Sequence, residues 1–195
     1  MSKVTDFVID SEQTGYNLIH HSMHWFAVMR FDEKLDTFFE GKMCPRPKTT
    51  YNPKNMEHSG ATWDEIQSWP NPERVMPTFA VWLIRHTTPG TVPRFWADNN
   101  GHDIKWLNYY LDLYLPFDPK TTQSLTGHSS RNVNDWHKNF VKGRAHADDP
   151  VPERYKIRKN LAVTKHNHTP VCDVRAVCES MLAMGDVGLH ILPVR

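Results

Sequence analysis

The chain has 195 residues, with 23 Lys plus Arg against 22 Asp plus Glu and a net charge of +1. That balance excludes a globally basic nucleic-acid-coating protein, so any attraction for a polyanion must come from local clustering. A hydrophobic fraction of 39%, 7 Trp and 9 Phe exclude a disordered chain and suit one packed domain over residues 1–195.

The N-terminus, MSKVTDFVID, holds no apolar run of signal-peptide length. No later segment approaches the roughly 20 apolar residues needed to span a bilayer, so a soluble, cytoplasmic protein without membrane contact is expected. FVID at 7–10 reads as a buried strand that ends by delivering Asp10 to the sheet edge. HHSMH at 20–24 spaces His20 and His24 as zinc ligands on a helix would be spaced. The following WFAVMRF is β-branched and aromatic, which favours a strand there and argues against zinc. FDEK then reads as a turn and LDTFFEGKM as a third strand, giving an antiparallel meander. CPRPKTTYNPKN reads as irregular. Two helices follow, one over 62–68 capped by Thr62 and one over 72–86 opened by Pro72, with Val75, Phe79, Trp82 and Leu83 on its core face.

VPRFWAD at 92–98 reads as a fourth strand. Ile104, Leu107, Tyr110, Leu111 and Tyr114 recur at helical spacing, with Asp103 in the first turn of that helix. The stretch after residue 115 is turn-rich and partly helical. Between 138 and 165, Lys138, Lys142, Arg144, Arg154, Lys156, Arg158, Lys159 and Lys165 outnumber Asp148, Asp149 and Glu153, a local excess able to track a phosphate backbone. Thr169 and Pro170 then open a last helix that Gly185 stops. Cys44, Cys172 and Cys178 form no CxxC pair and fit a reducing compartment. Strands first, then alternating helices and strands, predict an α/β fold with a mixed sheet flanked by helices.

Asp10 and Glu12 are two residues apart, so on an extended strand both carboxylates share a face, where burial is costly unless something pairs with them. Asp103 taken alone is an ordinary acid complementing a helix dipole. His168 and Asp173, taken alone, are ordinary loop and surface residues. As a set, Asp10, Glu12, Asp103 and Asp173 supply the hard oxygen ligands that a pair of divalent cations requires. Asp10, Glu12 and Asp173 would hold one ion, Asp10 would bridge to a second, and Asp103 would act through water. A histidine, His166 or His168, is the candidate general base, because histidine titrates near neutrality.

A strand ending in DxE with Gly15 close behind, an aspartate opening a helix after a strand, and H-x4-D at the start of the last helix resemble the DEDDh 3′-to-5′ exonucleases. These comprise polymerase proofreading subunits, ribonuclease T and oligoribonuclease. The likeness covers most of the chain: FDEKLDTFFEGKMCP and HSGATWDEI are similar to the family's second and third strands and the segment after them, and Asn99 stands four residues before Asp103. His102 departs from the usual apolar residue before that aspartate, and Val174 from the usual alanine after Asp173. His166 is a near neighbour of the family's base position, which is occupied by His168. Thr169 stands where the tyrosine-bearing branch carries its tyrosine.

The resemblance implies an RNase H-like, five-stranded mixed sheet and a two-metal reaction with Mg²⁺ or Mn²⁺. It implies hydrolysis of phosphodiester bonds at DNA or RNA 3′ ends, most readily single-stranded ones, with release of nucleoside 5′-monophosphates. It places Thr14, Gly15 and Tyr16 in the pocket for the terminal nucleotide, the aromatic ring against its base, with Asn99 and Trp106 as further substrate contacts. The alternative, a nucleic-acid-binding module of the same fold without catalysis, is opposed by the complete acid and histidine set.

Overall fold

The computed structural model describes residues 4–99, 101–115, 131–132 and 162–186. Seven of the eight basic residues singled out between 138 and 165 lie outside these, Lys165 being the exception. A five-stranded sheet has the order β3-β2-β1-β4-β5, built from β1 (Val4–Gln13), β2 (Met23–Arg30), β3 (Phe38–Lys42), β4 (Val92–Ala97) and β5 (Arg131–Asn132). The first three strands are antiparallel as expected, Phe7 pairing with Arg30 and Val28 with Phe39. β4 then joins β1 in parallel, Ile9 opposite Ala97, and β5 joins β4 in parallel, so the sheet is mixed.

Residue alternation along β1 divides the core in two. Phe7 and Ile9 face α3 (Pro72–His86) and α4 (Asp103–Tyr114), packing with Phe26, Phe79, Leu83, Phe95 and Trp106. Val8 faces the opposite side with Ala27, Met29 and Trp96, and is covered by Val174, Val177, Cys178 and Met181 of the last helix, α5 (Pro170–Asp186). Helices therefore cover both faces of the sheet. On the first face, Val75 and Trp82 are only partly buried, while Phe79 and Leu83 are fully enclosed.

Two short helices precede α3. α2 (Trp63–Gln67) begins as expected, the Thr62 hydroxyl accepting from the Glu65 amide. α1 (Pro53–His58) corrects the irregular reading of 44–55: Asn52 caps it by accepting from the Lys54 amide, and Pro53 fills its first turn. β1 is longer than expected and runs through the DxE pair. Among the described residues no helix is long and apolar enough to cross a membrane.

Candidate active site

The carboxyl ends of the parallel strands β1 and β4 lie side by side, and open α/β sheets place ligand sites at such ends. Asp10 and Glu12 remain inside β1, opposite Ala27 and Trp25 of β2. Alternation sends both toward α5 on the side of Val8, and Asp173 arrives there in the first turn of α5. One carboxylate oxygen from each of Asp10, Glu12 and Asp173 lies within 4.8 Å of the other two.

Ser11 points to the other face, where its hydroxyl donates to Asp103 Oδ1 at 2.7 Å. Gln13 Nε2 donates to the same Ser11 oxygen, so a polar relay joins the end of β1 to the start of α4. The turn after β4 fixes Asp103 from behind, its amide donating to the Asn99 carbonyl at 3.0 Å. Asp103 is thus buried beside the carboxylate triad rather than within it.

Crowding of these acids has an electrostatic consequence. Burial, then the nearby Asp173 and Asp103, push Glu12 up to about 8. Burial also raises Asp103 to about 7, with the Ser11 hydrogen bond opposing the rise and Asp98 adding to it. At the other end of β1, Asp6 instead accepts from Arg94 Nη2 at 2.8 Å and Trp96 Nε1 at 2.7 Å. Converging oxygen donors, one retaining its proton near neutral pH, suit hard divalent cations that would take the proton's place.

These groups line a cleft of about 320 Å³. His168 stands on its wall, exposed, with a backbone φ of 60° that histidine tolerates better than most residues. Its ring lies 5.8 Å from that of His58 and 4.8 Å from that of His166. His166 Nδ1 is 2.5 Å from Asp173 Oδ1, and the Asn167 amide donates to that oxygen at 3.2 Å. Tyr16, 67% exposed, and Asn99 also line the cleft; the Tyr16 ring lies 5.6 Å from His102.

No family model and no curated protein matches the chain. Solved structures do match. The nuclease domain of 3′hExo, a DEDDh family member bound to rAMP, superposes with a TM-score of 0.71 at 16% identity over 94% of this chain and 92% of its own. The zinc-bound Escherichia coli exonuclease I complex with single-stranded DNA gives 0.70 at 14% identity, over 97% of this chain and 42% of its own. Cell-death related nuclease 4 gives 0.69 at 16% identity, over 96% and 65%. The chain shares the fold of these nucleases. It spans less than half of exonuclease I and under two thirds of the cell-death related nuclease.

On this shared fold, Asp10, Glu12, Asp103, His168 and Asp173 all line one cleft. The expected substrate contacts divide. Tyr16 and Asn99 reach the cleft, but Trp106 is fully buried, so its expected contact with substrate is corrected: α4 turns this side chain into the core beside Tyr109 and Tyr110. Thr14 is also fully buried, its hydroxyl donating to the Thr50 carbonyl and accepting from the Ser22 amide. Gly15 is buried against His21, whose ring a Cβ would approach to 2.5 Å. Thr14 and Gly15 thus shape the chain ahead of Tyr16. The HHSMH zinc reading fails as well, because His20 is exposed while His24 is enclosed in β2 with its ring 6.0 Å from Trp69.

Sequence reasoning missed Asn55 and His58, which α1 brings to the cleft, and the acid Asp98 in the turn after β4. The only signal for the first two was the Asn52-Pro53 pair, a helix start.

Proposed function

We propose that the protein is a metal-dependent 3′-to-5′ exonuclease that shortens DNA or RNA single strands and releases nucleoside 5′-monophosphates. The observation that carries this reading is the convergence of the Asp10, Glu12 and Asp173 carboxylates within 4.8 Å in a cleft that His168 also lines. The complexes of exonuclease I with single-stranded DNA and of 3′hExo with rAMP support the substrate and product classes.

Asp10, Glu12 and Asp173 would hold Mg²⁺ or Mn²⁺, and Asp103, oriented by Ser11, would act on the second ion through water. When bound, such ions lower the pKa of water and neutralise charge on the phosphoryl oxygens. His168 accepts the proton of the attacking water, its exposed position on the cleft wall leaving the ring open to solvent. Tyr16 offers an exposed ring on which a terminal base of any identity can stack.

Incubating the protein with 5′-labelled single-stranded DNA and RNA and either cation tests the proposal. A ladder of products shortened from the 3′ end, with nucleoside 5′-monophosphate released, is expected. No shortening of either polymer would refute the proposal.

A further inference from the structure

Asp173 belongs to two donor sets. Besides meeting Asp10 and Glu12, it faces a pair of imidazoles: one ring nitrogen each from His166 and His168 and one Asp173 oxygen lie within 4.8 Å of one another. The two sets differ in chemistry. Three carboxylates favour hard oxygen-seeking ions, whereas two imidazoles with one carboxylate favour a borderline ion such as Zn²⁺.

Several features hold the imidazole set together. His166 Nδ1 is directed at Asp173 Oδ1, 2.5 Å away. The His166 and His168 rings meet edge to face, with centroids 4.8 Å apart and planes at 67°. Asp173 is anchored in α5 and buried, while both histidines lie on the exposed approach to that helix. Access therefore requires no opening of the core.

We propose that His166, His168 and Asp173 form a Zn²⁺ site, and that Zn²⁺ bound there blocks exonuclease action by occupying Asp173 and His168. Zinc bonds of about 2.0–2.2 Å put ligand atoms roughly 3.3 Å apart in a tetrahedron, so the His166–Asp173 pair, now 2.5 Å apart, opens modestly to admit the ion. The ion replaces the direct His166 to Asp173 contact. A fourth position falls to water or to His58, whose ring stands 5.8 Å from that of His168. Zinc binding stands apart from the proposed function; only its inhibitory consequence rests on that reading.

Calorimetric titration of the metal-free full chain with Zn²⁺, alongside Asp10→Ala and His166→Ala, tests the site. The Asp10 variant should bind within about threefold of the parent, since it keeps every zinc ligand, and the His166 variant at least about tenfold more weakly. Imidazole ¹H–¹⁵N spectra of the unaltered protein supply a readout that needs no variant: Zn²⁺ should shift the ring nitrogens of His166 and His168. Weakened binding in the Asp10 variant with none in the His166 variant would place zinc on the carboxylates and overturn the proposal. Unshifted His166 and His168 ring nitrogens at saturation would overturn it too. A protein that binds zinc through these histidines but shortens no strand would retain this site and lose the exonuclease reading, and the opposite pattern would do the reverse.

Discussion

Asp10 and His168 occupy the same cleft but have different expected effects when removed. Asp10→Ala deletes a carboxylate from a crowded acidic group, so the fold should persist while the proposed cleavage would fall on the order of a thousandfold or more, the scale of several kcal/mol of lost metal assistance. His168→Ala leaves the three carboxylates intact and should cut turnover on the order of 10²–10⁴-fold with Mg²⁺ affinity largely retained. Paired calorimetry and single-turnover kinetics separate the two. Equal loss of metal affinity in both variants would contradict these roles. His24 offers a test away from the cleft. Burial lowers it to about 4, and neither ring nitrogen has a hydrogen-bond partner among the described residues. Between pH 6.5 and 4 the unfolded chain takes up this proton and the native chain does not, so His24 costs stability as pH falls through that window. The stability gap between His24→Phe and the parent should therefore widen from pH 7 to pH 5 in urea melts. A constant gap would contradict the burial argument. At this scale the gathering of the acids and His168 in one cleft was legible from their types and offsets. Trp106 was misread because a tryptophan's type does not reveal which way its helix turns it.

Elements explain why the acids meet. β1 continues through Gln13, so its period-two alternation sends Asp10 and Glu12 toward α5 and Ser11 toward α4. β3 closes the sheet under a close packing constraint at Gly41, which pairs with Phe26. A Cβ there would lie 2.2 Å from the Phe26 ring, which packs at 5.2 Å against Phe79. Gly41→Ala should consequently destabilise the fold by about 1–3 kcal/mol, read as a lower urea midpoint; an unchanged midpoint would mean that the ring relocates without penalty. The longer helices were legible because α3 and α4 repeat apolar residues at helical spacing, and α2 carries a capping threonine. α1 was not, for a physical reason: it has six residues and buries none of them, so no apolar stripe marks it. Its contribution to the cleft, Asn55 and His58, was invisible for the same reason.

The whole molecule sets a pH dependence through its acid cluster. Glu12 is raised to about 8 and Asp103 to about 7, so between pH 6.5 and 8 the native state holds protons that the unfolded chain has released. Stability of the metal-free protein should fall across this interval, where His24 no longer contributes a slope. Mg²⁺ held as proposed by these acids would replace those protons in the native state, so its stabilisation should be greater at pH 8 than at pH 6.5. Thermal melts in chelator and in Mg²⁺ at both pH values test this, and a metal-free melting temperature that rises with pH would contradict it. Two cores, one on each sheet face, hold the geometry: α4 positions Asp103 on one side and α5 positions Asp173 on the other. The sequence alone determined the mixed sheet, its antiparallel opening and the types and offsets of the acids, because periodicity, caps and residue types are local properties. Tertiary structure alone decided that β4 runs parallel beside β1, that α1 reaches the cleft, and that Asp173 meets carboxylates and imidazoles alike. Those depend on contacts between distant segments, which no local pattern encodes.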